Sequence, residues 1–203
     1  MNRRHLFLLA AAALMLSACG GTWETSYTGV AASDSRNWRV SKININAPRT
    51  LSVSEENVYA PEADIGWRGE PEGDRHAQVA QIFRDSARAG TRALRGGRRV
   101  TLDITVHGFH ALSDRARTQL SSSGVHNILF DMTVRASNGT ILAQEQNVQA
   151  DLIAYVGDQA EAAEAQGITQ RVRIVNHLTN VIQNWFGFGE DVRVSFSRNV
   201  LRT

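Results

Sequence analysis

Cysteine is nearly absent: one occurs in 203 residues, at position 19. No disulfide can join two parts of this chain, so its stability owes nothing to oxidative folding. Long apolar runs are absent too. The longest, Leu6 to Leu16, rises about 16 Å as a helix, against a hydrocarbon core of about 30 Å. Catalytic signatures are missing as well. There is no Gly-x-Ser-x-Gly, and Ser121-Ser122-Ser123-Gly124 reads as a loop, not as the strand-to-helix elbow a serine nucleophile needs. Paired carboxylates abound but prove nothing without geometry. We assign no catalytic residue, no metal and no cofactor, and read the chain as a non-enzyme. Lysine is represented by Lys42 alone, beside 21 arginines, a bias that genome composition explains as readily as function. No repeat or low-complexity block occurs.

The cysteine has a telling position. Met1-Asn2-Arg3-Arg4-His5 is a short positive segment, the apolar run follows, and Leu16-Ser17-Ala18-Cys19 closes it with small residues. Such an order marks a secretory signal, not a membrane span. Its end resembles a bacterial lipobox. That resemblance implies cleavage after residue 18 and acylation of Cys19 by palmitate-type chains, two or three of which anchor a protein stably. Gly20 follows the cysteine instead of the Asp that tends to retain such proteins at the inner membrane, so the resemblance implies an outer-membrane protein facing the periplasm. Losing Arg3 and Arg4 with the signal leaves 20 basic against 20 acidic residues. A neutral exported chain gives no ground for nucleic-acid binding.

The expected organisation is a signal peptide over 1–18, the lipidated cysteine with a flexible polar tether over 19–36, a folded domain over 37–187, and a C-terminal tail over 188–203 able to add an edge strand. "WRVSKININAP" reads as a strand, "TLSVSE" as a short second one, and 54–74 as a long loop. "DRHAQVAQIFRDSARAGTRAL" sets Val79, Ile82, Phe83, Ala87, Gly90, Ala93 and Leu94 at helical spacing, with Asp74 as N-cap and Gly96-Gly97 as stop. Val100, Leu102, Ile104 and Val106 alternate along a strand, with Gly108 as a bulge. Ile128, Phe130, Met132 and Val134 alternate along another, and Asn138-Gly139 supplies a tight hairpin with two positive-φ residues. Residues 159–185 read as one helix striped by Ile168, Val172, Val175, Leu178, Ile182 and Trp185. The expected fold is α+β: a mainly antiparallel sheet of about four strands carrying two amphipathic helices on one face.

Charge is unevenly placed. Residues 54–74 carry seven acids against Arg68, and 75–99 carry seven arginines against Asp85. On a continuous helix Arg84, Arg88, Arg92 and Arg95 share one arc, a surface suited to anionic lipid or an acidic partner, or else a solvated face neutralised by the acidic loop. That loop is long for a compact domain. It holds Tyr59 and Trp67, rings able to anchor an interface or to fold back as a lid. His107, His110 and His126, with Asp103 and Asp131, could reach one metal only through a bulge at Gly108; exposed or satisfied structural residues are the better reading.

"DIGWRGEPEGDRHAQV" and "SGVHNILFDMTVRASNGTILA" with the helix after it resemble an uncharacterised lipoprotein family of alphaproteobacteria, which implies no activity. The expected role is a lipid-anchored envelope protein that binds or scaffolds an unidentified protein partner in envelope assembly or transport. The alternatives are a tethered hydrolase or metal-dependent enzyme, and a small-ligand or glycan binder.

Overall fold

A computed structural model describes residues 22–122 and 124–197. The expected signal, the Leu16–Cys19 motif and residues 198–203 of the expected tail lie outside them. The elements run β1 Thr22–Ser26, α1 Ala32–Ser35, β2 Trp38–Asn46, β3 Val53–Ser54, β4 Ile65–Gly66, α2 Arg75–Gly90, β5 Arg98–His110, α3 Asp114–Gln119, β6 Gly124–Ala136, β7 Ile141–Ala150, β8 Leu152–Ala154, α4 Gly157–Ala165, α5 Gln170–Trp185 and β9 Val194–Ser197. The class is α+β, but the four-strand, mainly antiparallel sheet is wrong. Nine strands form a mixed sheet along the path β3-β4-β5-β6-β7-β1-β9, with β2 on β5 and β8 on β6. Both β2 and β4 run parallel to β5, and there are five helices.

The antiparallel pair β5–β6 is the spine. Its register sets Leu102 against Val134, Ile104 against Met132 and Val106 against Phe130. Pairing like with like puts these apolar positions of the two strands on one face, because side chains alternate sides. These residues are buried under α2 and α5, which supply Val79, Ile82, Phe83, Ile174, Leu178, Val181 and Ile182. Phe83 meets Phe130 edge-on at 5.0 Å between ring centroids. Where the two helices cross, a Cβ on Gly90 would stand 2.9 Å from Ile182, so only glycine allows this approach. The register of β5 shifts between Val106 and Gly108, as the bulge at that glycine requires.

Several expected elements are corrected. Residues 22–36 are not a tether: Trp23, Thr25 and Tyr27 point inward while their neighbours are exposed, and β1 sits between β7 and β9. The sheet therefore extends beyond the expected domain limits of 37 and 187. The 159–185 helix is two helices, broken at Gly167, where φ is +77°. After that break the buried stripe of α5 is Ile174, Leu178, Val181, Ile182 and Trp185, whereas Ile168 and Val172 are exposed. Helix α2 ends at Gly90 with Thr91 as C-cap, short of Gly96-Gly97, and Ala93 is exposed. At the β6–β7 hairpin only Gly139 has positive φ, not Asn138. Gly139 N–H donates to Ala136 O at 2.9 Å, a three-residue loop closed by a left-handed glycine. Among the described residues no helix is long and apolar enough to cross a membrane.

Candidate functional site

The ends of the β5–β6 spine differ in chemistry. Strand β1 runs parallel to β6, since each is antiparallel to β7, so Thr22, Gly124 and His110 mark one end. The starts of β2 and β5, and the C-terminus of α2 that leads into β5, mark the other. Thirteen residues of β5 separate these ends by about 40 Å.

At the α2 end, cations gather without counter-ions. Arg84 and Arg88 face Lys42 across a shallow groove of about 220 Å³ between α2 and β2. Arg92 and Arg95 do not share their helical arc, because α2 stops first; they follow in the turn that feeds β5. Arg39 and Arg99 are register partners on neighbouring strands, so two guanidinium groups lie side by side. Arg39 and Arg84 each donate only to a neutral oxygen, that of Gly96 and of Gln81. None of these side chains makes an ion pair among the described residues.

The acidic 54–74 segment does not neutralise them. Its Glu55, Glu70 and Asp74 are taken up by other arginines. Arg75 is buried and clamps Glu55 through two nitrogens at 2.7 and 2.9 Å, donating also to Glu70 O, Pro71 O and Gln78. The hydrogen bonds from Arg75 hold the Glu55 carboxyl below its usual range. Glu70 receives Arg171 and the Trp67 indole N–H, Asp74 receives Arg49, and Arg68 reaches out to Asp114. Trp67 is fully buried against Phe109. It is a core residue and no interface ring. Its expected companion Tyr59 is 48% exposed.

Tyr59 stands on the rim of the second feature. A cavity of about 560 Å³ opens at the Thr22 end, walled by Trp23, Tyr59, Pro61, His110, Ala111, Leu112, Leu120, Val125 and Asn127. Leu112 lies on the backbone of β6; a Cβ on Gly124 would come within 2.6 Å of it. Most polar groups of the wall are already engaged. Tyr59 Oη donates to Gln119 at 2.8 Å, His110 Nε2 is bonded to Ala63 O, and Asn127 Nδ2 donates to Asp151. Arg115 stacks 4.7 Å from the centre of the Tyr59 ring. Sequence reasoning missed this cavity because Trp23 was assigned to the tether; the alternation of Trp23, Thr25 and Tyr27 was the signal available.

The histidines do not converge. His107 pairs with Asp131 at 2.8 Å on the open face of the sheet, while His126 is fully buried on the helix face. Among the described residues no three histidine, cysteine or carboxylate side chains are placed to share a metal ion.

The molecule is thus an α+β domain built on one mixed sheet, with an apolar cavity at one end and unpaired cations at the other. The chain belongs to a family of unknown function, DUF6778, which it matches over residues 38–200. No curated protein matches it. Among solved structures it is similar to a protein of Caulobacter crescentus CB15 provisionally named a lipoprotein, at 14% identity and a TM-score of 0.31, over 61% of this chain and 87% of that one. It is also similar to the PelC dodecamer of Paraburkholderia phytofirmans, at 11% identity and a TM-score of 0.34, over 84% of this chain and 99% of that one. Likeness at this level transfers neither fold nor role.

Proposed function

We propose that the protein is a non-catalytic lipoprotein of the bacterial envelope, acylated at Cys19, that stands on the periplasmic face of the outer membrane and offers its arginine end to an acidic protein partner. The observation that carries this reading is the placement of the free cations about 30–40 Å along the sheet from its Thr22 end. Two residues, Gly20 and Gly21, separate Cys19 from Thr22, three Cα steps with a reach of about 10 Å. An anchor that short keeps the Thr22 end at the bilayer and the arginine end away from it. Anionic headgroups of that bilayer are out of range, beyond a Debye length of about 10 Å, which favours a protein partner over lipid.

Changing Arg84, Arg88 and Arg92 to Glu reverses the charge of the groove and its flank. Arg84 is half-buried, and Arg88 and Arg92 are exposed; Glu has nearly the helix propensity of Arg at the two helical positions, and Arg92 lies in an exposed turn past the helix, so folding survives. In-cell crosslinking followed by pull-down is expected to lose its main partner in this triple variant while the protein still fractionates with membranes. A folded triple variant with an unchanged crosslinking profile overturns the reading.

A further inference from the structure

We propose that the cavity at the Thr22 end seats one of the acyl chains carried by Cys19. This rests on the acylation read from the sequence. The cavity, about 560 Å³, falls within the range of about 300–1,000 Å³ typical of small-ligand sites. Its wall selects the chemistry of the occupant. Trp23, Tyr59, Leu112, Leu120 and Val125 offer apolar surface, the polar groups of Tyr59, His110 and Asn127 are spent on Gln119, Ala63 and Asp151, and the Ser121 and Ser122 hydroxyls stand on its exposed side. A sugar needs free donors and acceptors in its site, and leaving its hydroxyls unpaired costs about 1–3 kcal/mol each. A hydrocarbon chain needs none.

Chain length selects the source. Trp23 is itself part of the wall, and it lies four Cα steps from Cys19. Their full extension is about 14 Å. The acylated sulfur is therefore tethered within about one strand length of the mouth, where the effective concentration of its chains is in the millimolar range. No free lipid in the periplasm matches that. With one chain in the cavity and the others in the bilayer, the domain is held at a fixed orientation, its arginine end outward.

The test is metabolic labelling with a fatty acid carrying a photoactivatable diazirine, followed by ultraviolet crosslinking of cells producing the full chain and mass analysis of the joined peptides. The expected product links the Cys19 peptide, through its acyl group, to the segments around Tyr59 or Val125. Two plugs, Ala60→Trp and Ser122→Trp, sit at exposed wall positions and should abolish that product while the protein stays folded. Persistence of the product in both plugged variants overturns the seat. So does a Cys19 chain crosslinked to phospholipid alone, or a cavity segment joined to a phospholipid chain in place of Cys19. An unmodified Cys19 peptide refutes the anchor itself and this seat with it, and the mass of that peptide tells the two failures apart.

Discussion

His126 is fully buried, and neither ring nitrogen has a hydrogen-bond partner among the described residues. Burial, then the positive charge of Arg173 and the nearby His177 ring, push its pKa down to about 3. Burial likewise takes His177 down to about 4. Both values lie below the free-histidine value of about 6.5. As pH falls from 7, the unfolded chain therefore takes up these protons first, and stability drops between about pH 6.5 and the folded values. At pH 5 His126 alone removes about 2 kcal/mol, and His177 acts in the same direction. Asp151, raised by burial despite hydrogen bonds from Gln149, Asn127 and two backbone amides, opposes this only nearer the carboxylate range. Denaturant unfolding at pH 7 and pH 5 should show the loss, and His126→Leu should reduce it. Parallel pH curves for the two proteins would assign the acid sensitivity elsewhere.

Between elements, the β6–β7 hairpin is the sharpest local commitment of the chain. Gly139 holds φ of +87°, and Asn138 Oδ1 accepts from Thr140 N–H at 3.1 Å. Gly139→Val forces a β-branched side chain into the left-handed region and should cost about 1–3 kcal/mol. Asn138→Val loses one exposed hydrogen bond and should cost less than about 1 kcal/mol. Thermal melts of the two single variants give the order; equal losses would contradict the turn. This hairpin, the alternating faces of β5 and β6, and the Val79/Ile82/Phe83 face of α2 were legible because each is a local pattern of sufficient length. Strand β3, Val53–Ser54, falls within the expected short strand "TLSVSE", whereas β4 has only two residues, too few to show a period. The parallel pairing of β2 on β5 leaves no local mark. In α5 the stripe slipped because Gly167 ends α4, and a pattern continued through a break loses its phase. The candidate site was half legible. The excess of arginine was visible in the sequence, but its freedom from counter-ions depends on Arg49, Arg68, Arg75 and Arg171 reaching the acids or their flanks, which only the fold decides. The cavity depends on β1, which composition alone disguised as tether.

For the molecule as a whole, the two ends of the sheet differ in chemistry: one holds the cavity and the other presents charge. The sheet's margin matters to that arrangement. Strand β1 is covered on its outer side by β9, with Trp23 opposite Phe196 and their rings stacked at 6.3 Å. A chain ending at Arg193 loses this strand. It should melt lower and self-associate, since an uncovered strand edge recruits other chains; size-exclusion chromatography and a melt check this, and a stable monomer with wild-type melting would deny β9 that role. The same pairing sets an order of events. The first described strand waits for the last one, with nearly all of the described chain between them, so the sheet cannot be finished until Val194–Ser197 is free to pair. Loop closure on that scale is slow. Completion of the sheet therefore depends on the Val194–Ser197 segment finding the Thr22–Thr25 strand across almost the whole described chain.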